Sequence, residues 1–119
     1  MIRDEIKVPI YNGKIIVVFT DDLQSAMHEY SDEDCDHDIA ITVHFDTPLN
    51  YVMGFGVENL CHMVVSHEVC HVTHKIMYDV GIEHTSSNDE TEAYLHAYIV
   101  NEVYKIIKTN NLMCYGNED

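Results

Sequence analysis

Residues 57–80, VENLCHMVVSHEVCHVTHKIMYDV, decide the fold. Leu60, Val64, His67, His71, His74 and Tyr78 recur there at three- and four-residue steps, the spacing of one helical face. Gly81 follows as a helix stop, since glycine accepts the left-handed backbone that ends many helices. Residues 82–87 read as a loop. Asn88 or Asp89 can cap a last helix from about Glu90 to Lys108, with Ala93, Tyr94, Ala97, Tyr98, Val100, Val103, Ile106 and Ile107 as its apolar positions.

Upstream of this pair the pattern is that of strands. Lys7–Ile10 and Ile15–Phe19 flank Asn12-Gly13, whose tolerance of positive φ suits a β-hairpin turn. Pro9 has no N–H to donate to a ladder, so it marks the first strand as an edge. Thr20-Asp21-Asp22 can cap a short helix reaching about Tyr30. Ser31–Asp38 reads as an acidic loop. Ile39, Ile41, Val43 and Phe45 alternate with Ala40, Thr42 and His44, which is the period of a strand. A turn over Asp46–Asn50 leads to a short strand at Tyr51–Phe55. The expected fold is α+β: a small antiparallel or mixed sheet with a short helix, packed on two long helices. No linker or repeat interrupts the 119 residues, so residues 1–119 are expected to form a single domain, with 110–119 a flexible tail.

The 21 acidic residues against 6 Lys and Arg give a formal charge of −15, which repels phosphate. Nucleic acid and anionic membrane are therefore excluded as direct partners, whereas a basic protein partner is allowed. Cys35, Cys61, Cys70 and Cys114 form no CxxC pair, so neither a disulfide framework nor a zinc ribbon is expected. The opening MIRDEIKVPIYNGK lacks the apolar stretch of a signal peptide, and no apolar run approaches the ~20 residues of a membrane span. A cytoplasmic location is the expectation.

His67-Glu68-Val69-Cys70-His71 has the HExxH pattern. Histidines at i and i+4 lie one above the other on a helix, so both imidazoles can reach one ion. Zinc fits this donor type, and it lowers the pKa of a water it holds towards ~7. Glu68, beside the first histidine, is then placed to take that water's proton and act as catalytic base. A catalytic zinc site uses three protein ligands and one open position. The third is expected from the second helix. Glu90 is the preferred candidate, because it shares a stripe with Ala93, Tyr94 and Ala97, and Glu92 is the alternative. His74 is expected to line the groove or support the ligands, since about 10 Å of helix rise separates it from His67. Tyr94, Tyr98 and His84 are candidates for stabilising an oxyanion. Cys70 is expected in the core.

SHEVCH, the glycine at 81 and NDETEAYLHAYIVNEV together resemble the gluzincin-type zincin metallopeptidases, and more narrowly small phage and prophage proteins carrying HExxH. VPIYNGKIIVVF is similar to the start of those proteins. The resemblance implies a minimal zincin-like core with Zn2+ on His67, His71 and Glu90, and Glu68 as base. It also implies, for a phage-encoded protein, the cytoplasm of a bacterial host. The chain departs from larger peptidases of the class in having no second lobe.

The expected function is a zinc-dependent hydrolase, in first place a metallopeptidase acting on a peptide or protein substrate. Ile39–Phe45 would be the strand that receives the substrate backbone by β-augmentation. The alternative is a catalytically silent zinc-binding protein with a structural or host-interaction role. In a variant of it, the acidic surface occludes a basic host protein.

Overall fold

The computed structural model describes residues 1–9, 11–32, 39–45, 47–83 and 85–115, with only the backbone of His44. The elements are strand β1 (Ile2–Val8), strand β2 (Gly13–Thr20), helix α1 (Leu23–Met27), strand β3 (Ala40–His44), strand β4 (Asn50–Gly56), helix α2 (His62–Asp79) and helix α3 (Asp89–Thr109). The strands form one sheet in the order β1-β2-β4-β3. β1 and β2 make an antiparallel hairpin at the expected turn, with Val8 opposite Gly13 and Asn12 at φ 59. The first strand is Ile2–Val8 rather than Lys7–Ile10, and it ends before Pro9, which has no N–H for the ladder. β2 and β4 run parallel, and β3 returns antiparallel along β4. The sheet is therefore mixed.

β4 is central and covered on both faces, which explains why Tyr51 to Phe55 are buried without alternation. On one face Val18 and Val52 pack under Leu23 and Met27 of α1. Asp22 starts that short helix by accepting from the amide of Ser25. On the other face Ile15, Val17, Phe19, Tyr51, Met53 and Phe55 meet the two long helices. Phe19 and Phe55 stack there with centroids 5.4 Å apart.

The buried side of α2 is Val65, Val69, Val72 and Ile76, with Glu68 and Thr73. The periodic stripe read from the sequence is divided: Leu60 and Val64 are buried. His67, His71, His74 and Tyr78 all lie on the exposed side. Valine and isoleucine at three- and four-residue steps bury more apolar area than imidazoles do, and they set the helix's rotation. Gly81 at φ +78 closes α2 as expected: Gly81 N donates to Tyr78 O and Ile82 N to Met77 O, a Schellman motif. Asn111 at φ 55 closes α3 in the same way, with Leu112 N donating to Ile107 O.

Residues 110–115 of the expected flexible tail fold back onto the start of α2. That helix has no side-chain cap at Cys61. Instead His62 N donates to Tyr115 O and Tyr115 N donates to Leu60 O, so the returning chain satisfies an amide that would otherwise lack a partner. Tyr104 of α3 hydrogen-bonds His62 Nδ1 beside this junction. Its phenol is pushed up to about 12, chiefly by burial and then by the nearby Cys114. Among the described residues, no helix is long and apolar enough to cross a membrane.

Candidate metal centre

His67 and His71 stand one turn apart on the exposed side of α2, and their Nε2 atoms are 3.1 Å apart. Their rings meet edge to face at 82°. Two imidazole nitrogens at about 2.0–2.1 Å from one tetrahedral cation are held about 3.3 Å apart, so this pair fits a shared ion. The rotation that puts Val65, Val69 and Val72 in the core is what turns both imidazoles outward to meet.

Glu68 is on the buried side, 7% exposed. One carboxylate oxygen accepts from Thr42 Oγ1 of β3 at 2.6 Å. The other lies 3.9 Å from His67 Nε2. A buried carboxylate needs such a donor, and Thr42 supplies it from the neighbouring strand. Thr42 was legible only as one of the residues alternating with the apolar face of that strand. The structure gives it a defined partner.

A groove of about 650 Å³ runs between β3 and α2, with Thr42, Glu68, His71, His74, Lys75 and Tyr78 among its walls. β3 is an edge strand. Ile39 O and Phe45 N bond to β4, so by antiparallel alternation the amides and carbonyls of Ala40 and Thr42 turn outward, to the groove. At the far end Asp79 is tied down by Tyr51 Oη at 2.6 Å and pairs with Lys75 at 3.6 Å. Burial, and then Asp79, raises the Tyr51 phenol well above its ordinary value. Lys75 also sits 4.5 Å from the centre of the exposed Tyr78 ring. The Tyr51–Asp79 hydrogen bond thus ties β4 to α2, and Lys75 is paired within α2 rather than left as a spare charge in the groove.

The acids of α3 fall differently from the expected order. Glu90 is exposed, as are Ala93 and Ala97, and Tyr94 is 74% exposed. Together with Asp89 it sits in the first turn, where the helix dipole favours acids. Glu92 is the acid that faces α2, and its carboxylate meets His74 Nε2 at 2.5 Å. The stripe packed on α2 and the sheet is Glu92, Ile99, Val103 and Ile106, not Glu90, Ala93, Tyr94 and Ala97. Counting back seven residues from Ile99, the first fully buried position, leads to Glu92 and would have found it. Cys70 is half-buried beside His74, with its sulfur 3.8 Å from Nε2, and is not a core residue.

Of the oxyanion candidates, Tyr94 lines a different cavity, about 200° of helix rotation from Glu92. Tyr98 donates to the carbonyl of Lys7 on β1 and is also away from the groove. His84 lies outside the described residues. His74, expected to line the groove, does so. Among the described residues, no third histidine, cysteine or acid joins His67 and His71 in a ready-made group of three. Comparison of the chain with protein-family models, with curated proteins and with solved structures returned no match.

Proposed function

We propose that the protein is a zinc-dependent hydrolase acting on peptide or protein substrates, with Glu68 as its base. The observation that carries this reading is the approach of His67 and His71 to 3.1 Å beside a buried carboxylate, with His71 and Glu68 lining a groove walled by an edge strand. His67 and His71 would hold the ion, and Glu92 rather than Glu90 is the acid facing their helix. Bound zinc supplies Lewis acidity and makes water a usable nucleophile near neutral pH. On this reading the mixed sheet and two helices are a minimal zincin-like core.

The protein's own groups then divide the work. Thr42 holds one oxygen of Glu68, leaving the oxygen on the His67 side to take a proton and return it to the leaving amine. The outward backbone groups of Ala40 and Thr42 can pair an extended substrate along the groove. His74 and Tyr78 are the polar groove residues that can meet the substrate's carbonyl oxygen. The half-buried Lys75–Asp79 pair gives the far end of the groove a nearly neutral wall.

One observation favours a second reading, a catalytically silent zinc-binding module: the third ligand is not already grouped with the two histidines. Glu68→Gln separates the two. With zinc-loaded protein and a quenched fluorescent peptide library, the hydrolase reading expects wild-type cleavage, its loss in Glu68→Gln and unchanged zinc content. Equal rates in both proteins, or no cleavage by zinc-replete wild type, would refute it.

A further inference from the structure

A second cavity, of about 390 Å³, opens on the opposite side of α2 from the groove, under the β1–β2 turn. Its walls are almost wholly apolar: Tyr11 from the turn, Met77 and Val80 from α2, Ile82 from the connection, Tyr94 and Leu95 from α3. Met77 is fully buried and forms part of the floor, whereas the Tyr94 ring is 74% exposed at the rim. Volume and lining match sites that take an apolar anchor with a few polar contacts at the edge. The charge on one side of the opening is uniform. From Ile82 to Thr91, both of which line the cavity, the chain carries Glu83, Asp89 and Glu90 and no Lys or Arg. Glu83, Asp89 and Glu90 are exposed. Glu90 and Tyr94 lie one helical turn apart, so a guanidinium can stack on the ring while it pairs with the carboxylate.

We propose that this cavity docks a basic peptide segment of a partner protein, an aliphatic or aromatic residue filling the cavity and an adjacent arginine seated on Tyr94 and Glu90. The site does not depend on the zinc reading, because no residue of the His67–Glu68–His71 cluster lines it. A second copy of the chain is a poor occupant, since two chains each of formal net charge −15 repel.

The test is an amide NMR titration of the full chain with acetyl-Arg-Ser-Leu-Phe-Ser-Arg-amide. Saturable shifts centred on Ile82, Thr91, Tyr94 and Leu95 are expected. Affinity should fall at least tenfold when Leu-Phe becomes Gly-Gly, and as much when both arginines become glutamate. Tyr94→Ala and Glu90→Lys should each weaken binding fivefold or more with Tm unchanged, as both side chains are exposed. Glu68→Gln should bind like wild type, which keeps this result distinct from the fate of the hydrolase reading. Absent saturable shifts, equal binding by all three peptides, or shifts centred on His71 and His74 would overturn the proposal. Saturable shifts from decylammonium but none from the peptide would overturn it in favour of a small cationic amphiphile.

Discussion

Thr42→Val tests the joint between the edge strand and the motif helix through stability, independently of any activity. Valine keeps the shape of threonine and removes the hydroxyl that donates to Glu68 at 2.6 Å. The acceptor is a carboxylate 7% exposed, so water cannot replace the lost donor freely. A hydrogen bond to a charged, buried group contributes about 1.5–3 kcal/mol. For a chain of this length about 1 kcal/mol moves Tm by about 4 °C, so the expected loss is about 6–12 °C at neutral pH. Thr42→Ser, which keeps the hydroxyl, should recover most of it. Adding Glu68→Met, which removes the acceptor, to Thr42→Val should cost little beyond either change alone, because the two share one interaction. Urea unfolding of the four proteins at pH 7 measures these terms. A loss below about 0.5 kcal/mol for Thr42→Val, or additive losses in the double variant, would refute the view that this bond holds Glu68 in place.

Three further outcomes follow from other parts of the molecule. Zinc at a hundredfold excess over its Kd should stabilise the fold by about 2.7 kcal/mol, and His67→Ala should abolish the rise in Tm seen by calorimetry. Gly54→Ala should cost about 1–2 kcal/mol in urea unfolding, since its Cβ would stand 2.5 Å from Met27 Sδ in the layer under α1. Its cost should shrink in a Met27→Ala background. Tyr51 and Tyr104 have raised phenol values, so the folded chain binds more protons than the unfolded chain above pH 10. Their stabilisation is intact below the ordinary tyrosine value and is lost as pH rises through the folded one, about 12 for Tyr104. Unfolding midpoints should fall from pH 10 upward, and Tyr51→Phe should flatten that fall.

Local signals in the sequence were sufficient for the elements themselves. Alternation, the Asn12-Gly13 turn, the capping Asp22 and the stop at Gly81 each act through neighbours a few residues away, and the structure agrees with all four. The HExxH spacing likewise determined that two imidazoles would share one side of α2. Tertiary packing decided the rest. Glu92 is distinguished from Glu90 only once Ile99, seven residues on, is known to be buried. The rotation of α3 is set by burying Ile99, Val103 and Ile106, and that choice turns Glu92 inward and leaves Glu90 in solvent. In the same way, the parallel pairing of β2 with β4 leaves β3 at the edge, which brings Thr42 to Glu68 and opens the groove beside it. A period along the chain shows that a helix or strand has faces. Which face goes in depends on apolar area supplied by residues distant in sequence, and that is a property of the folded molecule alone.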